Sequence, residues 1–121
     1  MVYKTSFCGC CSLWGRHLKA NGFQVKEQDV SNLAEIKRQN GVPDALQSCH
    51  TAIVEGYVIE GHVPAAAIHR LLKERPKAKG LAVPGMPMGS PGMEGTQRDK
   101  YSVLLFDADG KTMVFQEYPG D

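Results

Sequence analysis

Three of the four cysteines in this 121-residue chain fall within one tetrapeptide, Cys8-Gly9-Cys10-Cys11. The tetrapeptide directly follows a short apolar run and directly precedes a helical pattern. A strand that feeds a CxxC at the start of a helix places thiols where backbone N–H groups and the helix macrodipole favour thiolate over thiol. Such a junction serves dithiol–disulfide exchange or the binding of a soft metal. The plainer alternative, small apolar cysteines filling a core, fits poorly with three of them in four residues. Cys10 and Cys11 are adjacent, with Cα atoms about 3.8 Å apart, below the roughly 4.4–6.8 Å usual for a disulfide. A thiol cluster is therefore expected rather than a disulfide framework.

The remaining pattern predicts a single domain over 1–121. Residues 2–5 read as a strand and 10–21 as a helix with Cys10 or Cys11, Trp14 and Leu18 facing inward and Gly22 as its stop. Residues 23–26 alternate like a second strand. A second helix starts near Asn32, turns Leu33 and Ile36 inward and ends at Gly41. One further helical turn is expected over 42–46. Residues 51–54 and 57–60 flank a Glu55-Gly56 turn and read as a β-hairpin. Pro64 opens a third helix with Ile68, Leu71 and Leu72 on its buried stripe. The order βαβα-ββα predicts an α/β, thioredoxin-like mixed sheet with helices packed on it. Residues 76–99 read as a long loop rich in Met, Gly and Pro, and 101–118 as an extra C-terminal β-hairpin.

Bulk composition excludes several roles. Fourteen basic and thirteen acidic residues give a net charge of +1, with no basic stretch to track phosphates, so nucleic acid is not expected as a partner. No run approaches the roughly 20 apolar residues of a membrane span, so membrane insertion is not expected either. The chain begins almost at once on a strand pattern, with no basic and apolar leader. Two locations stay open from the residues: a cytoplasmic protein, or a mature or trimmed chain.

Two further segments bear on the chemistry. Cys49-His50-Thr51 lies just before the third strand, in the loop that this topology returns to the CxxC. Thiol–disulfide oxidoreductases usually hold a cis-proline there; here Thr51-Ala52 stands in its place and Cys49 adds a sulfur. The loop carrying Met86, Met88 and Met93 adds thioethers, which suit Cu(I) and not Zn(II). His62, just ahead of Pro64, can approach the same site, whereas His17 and His69 sit within helices. Asp107-Ala108-Asp109-Gly110 departs from a calcium loop, with its glycine too early and Tyr118 at the twelfth position, and reads as a hairpin turn.

Taken together, Cys8-Gly9-Cys10-Cys11, Ser48-Cys49-His50-Thr51, Gly61-His62-Val63-Pro64 and Gly85-Met86-Pro87-Met88-Gly89-Ser90-Pro91-Gly92-Met93 closely resemble the CopG-like family of small bacterial copper-resistance proteins. The resemblance spans nearly the whole chain. It implies copper handling in the periplasm, with redox chemistry at a copper–thiolate site as an extension, and other copper-resistance proteins as partners. By motif match, Cys8, Cys10, Cys11 and Cys49 are the thiolate ligands and Met88 and Met93 the thioethers, with His50, His62 and Met86 as secondary candidates. Cu(I), held singly or as a cluster, is thus the expected cargo. Two alternatives remain: a thiol–disulfide oxidoreductase using Cys8 and Cys11, and a structural Zn(II) site. A copper-dependent oxidoreductase is a narrower form of the first reading.

Overall fold

The computed structural model of the protein describes residues 2–5, 9–43, 46–84, 90–91 and 99–118, and the side chain of Cys10 is outside that description. The elements run β1 (Val2–Lys4), α1 (Gly9–Ala20), β2 (Glu27–Asp29), α2 (Leu33–Gln39), β3 (Thr51–Val54), β4 (Tyr57–Gly61), α3 (Ala65–Glu74), β5 (Gly80–Val83), β6 (Tyr101–Phe106) and β7 (Thr112–Tyr118). All the strands join one mixed sheet in the order β2-β1-β3-β4-β5-β6-β7. The pairs β1–β2 and β4–β5 are parallel, and the other neighbours are antiparallel. The first seven elements follow the βαβα-ββα order expected from the sequence.

Side-chain alternation gives the sheet two different faces. One face carries Ala52, Ile59, Leu81, Val83 and Val103 against Trp14 and Leu18 of α1 and Ile68 and Leu71 of α3. The other carries Val58, Ala82 and Phe106 against Val42 and Leu46, on the side where α2 packs over β1 and β3. No helix among the described residues is long and apolar enough to cross a membrane.

Three local expectations need correction. The second strand lies at 27–29, not 23–26: Phe23 and Val25 pack on the core, and a wholly exposed Glu-Gln-Asp segment takes the sheet edge. β5 occupies 80–83, inside the stretch read as a loop, because its four buried residues are sandwiched between β4 and β6. In α2 the buried residue is Lys37, while Leu33 and Ile36 are half-buried. Other expectations hold locally. Glu55 and Gly56 both take positive φ, 47° and 89°, as a tight hairpin turn requires. Asp107 Oδ1 accepts from the N–H groups of Asp109 and Lys111, closing the β6–β7 turn. The expected turn over 42–46 lies partly outside the described residues.

Candidate metal centre

The site forms where the start of α1, the loop before β3 and the exit of β4 meet. Cys11 is the third residue of α1 and is fully buried, with no acidic residue in the first turn to offset the helix dipole. Its Sγ lies 3.7 Å from the carbonyl oxygen of Cys49. Cys49 is half-buried, with its Sγ 3.2 Å from His50 Nδ1 and 2.9 Å from His62 Nε2. Ligand-capable atoms of Cys11, Cys49 and His50 all lie within 4.8 Å of one another.

Backbone geometry delivers both imidazoles. Gly61, at φ 80°, ends β4 and donates its N–H to the carbonyl of His50 at 3.0 Å. A Cβ there would stand 2.5 Å from the Val83 carbonyl and 2.7 Å from Ser48 Oγ, so only glycine lets the chain turn His62 toward Cys49. His62 Nδ1 meets the carbonyl oxygen of Pro91 at 2.5 Å. A carbonyl only accepts, so Nδ1 carries the proton and Nε2 is the ring nitrogen turned to Cys49. Pro91 and its neighbour Ser90 are buried, so this dipeptide is anchored at the site through the Pro91 carbonyl.

His50 is fully buried between Trp14, at 4.3 Å between ring centroids, and His62, at 5.3 Å. Trp14 is itself held by a 2.8 Å hydrogen bond from Nε1 to the Val63 carbonyl. Burial, followed by the charges of His62 and Lys37, pushes the His50 pKa from 6.5 down to about 3. The ring is therefore neutral at physiological pH, the form that binds metals. Its Nε2 is the one buried side-chain N or O atom without a hydrogen-bond partner among the described residues. Such an orphan costs about 1–3 kcal/mol, which a ligand would relieve.

Behind the Cys49–His50 loop, on the α2 face, lies a buried polar network. Lys37 Nζ pairs with Glu60 Oε2 and donates to Thr51 Oγ1 at 3.1 Å. Thr51 Oγ1 donates to Glu60 Oε1 at 2.5 Å, and the Ser48 N–H donates to Glu60 Oε2 at 2.7 Å. The threonine found where a cis-proline was considered is thus committed to this carboxylate.

Of the residues expected at the site, Cys11, Cys49, His50 and His62 come together. Cys8, Met86, Met88, Met93 and the side chain of Cys10 lie outside the described residues. The expectation of a purely thiol cluster needs correction: Cys11 is disulfide-bonded, whereas Cys49 is not part of a disulfide. The adjacent-residue argument excluded one pairing and not disulfides as such. Sequence reasoning missed Lys37, Glu60 and the Pro91 carbonyl. The first two left a signal: Lys37 falls four residues after the inward Leu33, and Glu60 shares Val58's face of β4.

Residues 46–93 match the family described as "Protein of unknown function, DUF411". No curated protein matches the chain. Two solved structures do, both named copper resistance protein copG. Form 1 is 47% identical and Form 2 46%, each match covering 98% of this chain and 95% of the other with a TM-score of 0.93. With nearly half its residues identical over almost its whole length, and with Cys11, Cys49 and His50 gathered at one centre, this chain belongs to the CopG family of copper-resistance proteins.

Proposed function

We propose that this protein binds Cu(I) as cargo in copper resistance and homeostasis, on a thioredoxin-like scaffold in the periplasm. The observation that carries this reading is the convergence of Cys11, Cys49 and a neutral, buried His50 whose Nε2 has no partner. Thiolate and imidazole are donors that Cu(I) favours. Metal bonds of about 2.0–2.3 Å put ligand atoms roughly 3.3–4 Å apart, and the observed group needs only a small contraction to reach that spacing. Cys8 and Cys10 would add thiolates at the same helix start, enough sulfur to bridge a multinuclear cluster. Met88 and Met93, with Met86 as a further candidate, flank the anchored Ser90-Pro91 in sequence. Cys11 contributes only after its disulfide is reduced, so loading belongs to the reduced chain.

Anaerobic titration of the reduced protein with Cu(I) tests this. Tight binding is expected, with quenching of the single tryptophan, Trp14, and loss of both in the Cys8→Ser/Cys11→Ser double variant. Binding that survives the double change, or a stoichiometric preference for Zn(II) over Cu(I), would overturn the proposal. The Cys11 disulfide specifically favours a second reading, thiol–disulfide exchange. Turnover of insulin disulfides by the metal-free protein would support it, and inactivity would remove it.

A further inference from the structure

We infer that Glu60, together with Lys37, is a positioning residue of the metal centre, holding the Cys49–His50 loop in the geometry that ligation needs. The inference rests on the Cu(I) reading for its function, but its physical content is independent of copper. Glu60 is fully buried and Lys37 nearly so, at 0% and 5% side-chain exposure. Two ions taken out of water are costly, and apolar side chains of similar volume would fill the same space without that cost. What apolar groups cannot do is orient polar neighbours.

The contacts show which neighbours are oriented. Glu60 faces Thr51 directly across the antiparallel β3–β4 ladder. One carboxylate oxygen takes the Thr51 hydroxyl and the other takes the Ser48 N–H. Lys37 reaches from α2 to bind both Glu60 and Thr51, locking the carboxylate's rotation. The loop is therefore clamped at Ser48 and at Thr51, and the residues between the clamps are Cys49 and His50. Glu60 lies two positions before His62, which follows the end of β4 at Gly61, so the end of β4 sets both the loop and the second imidazole. Groups that orient metal ligands in this way typically change metal affinity by about 10–100-fold when removed.

The test compares wild type, Glu60→Gln and Leu71→Ala, each as the full reduced chain. Cu(I) affinity is read by competition with a chromophoric chelator, and amide exchange at residues 48–50 is read on the metal-free protein. Glu60→Gln keeps the shape of the side chain but loses the charge that binds Ser48 and Lys37. It should weaken Cu(I) binding by about 10–100-fold, expose the Ser48 amide to exchange and speed alkylation of Cys49. Leu71→Ala, in α3 on the opposite face, should lower the melting temperature while leaving affinity and Ser48 protection near wild type. Wild-type affinity and Ser48 protection in Glu60→Gln would overturn the inference, as would an equal affinity loss in Leu71→Ala. If Glu60→Gln fails to fold, Thr51→Val removes one clamp only and should show a smaller loss in the same direction; no loss there would overturn the inference too. A wild type that binds no Cu(I) would overturn the functional reading instead, and the exchange and alkylation measurements would still decide the clamp.

Discussion

The two faces of the sheet solve different problems. Beneath α1 and α3, Trp14, Ile59, Ile68, Leu71, Leu81 and Val83 are all fully buried. Each such side chain contributes about 1.5–3 kcal/mol through removal of apolar surface from water, without directional demand. Beneath α2 the apolar cluster is smaller and shares its space with the Lys37–Glu60 pair. That pair carries a desolvation cost of several kcal/mol per ion and adds little net stability. The contrast separates two tasks: one face holds the chain together, and the other sets the angle of the loop that carries Cys49 and His50.

Substitutions on the apolar face should therefore change stability most. Leu71→Ala leaves a cavity in a fully buried position and should cost about 2–5 kcal/mol, read as a lower urea midpoint. A loss under 1 kcal/mol would mean that this face can collapse around the gap, which weakens the contrast. Between the faces, Gly61→Ala forces a side chain into positive φ and against the Val83 carbonyl. It should destabilise by about 1–3 kcal/mol and move His62 away from Cys49, visible as altered histidine ring resonances. Unchanged resonances would show that Gly61 serves the sheet alone.

The smallest effect per step is pH dependence. In the metal-free protein His50 has its pKa lowered from 6.5 to about 3, whereas in the unfolded chain it titrates normally. Below pH 6.5 the unfolded chain takes up a proton that the folded chain does not. The His50 contribution is thus intact above pH 6.5 and is lost as pH falls toward 3, by about 1.4 kcal/mol per pH unit at most. Urea midpoints at pH 7, 6 and 5, compared with His50→Asn, check the slope. Parallel profiles would show that His50 is more hydrated than its burial implies.

Much of this architecture was legible in the residues. The inward positions of Trp14 and Leu18 and the hairpin around Glu55-Gly56 follow from local periodicity and turn chemistry. The approach of the pre-β3 loop, with Cys49 and His50, to the start of α1 was also readable from the element order. β2 was not legible: Glu27-Gln28-Asp29 has no strand pattern and becomes a strand only because β1 offers it a parallel edge. β5 was obscured by flanking prolines, although Gly80-Leu81-Ala82-Val83 is an apolar run. Residues at a sheet edge or between two strands take their conformation from partners distant in sequence.

By itself the sequence determined the order of the main elements and the supply of soft ligands, since both depend on residue type and short spacings. Only the tertiary structure decided which of those ligands converge, that His62 meets the Pro91 carbonyl, and that Lys37 and Glu60 are buried together behind the Cys49–His50 loop. A lysine and a glutamate 23 residues apart look like two solvated charges in a one-dimensional chain. Their burial becomes tolerable only when a helix, two strands and the loop before β3 supply hydrogen-bond partners at once, which is a property of the packed fold and of no segment within it.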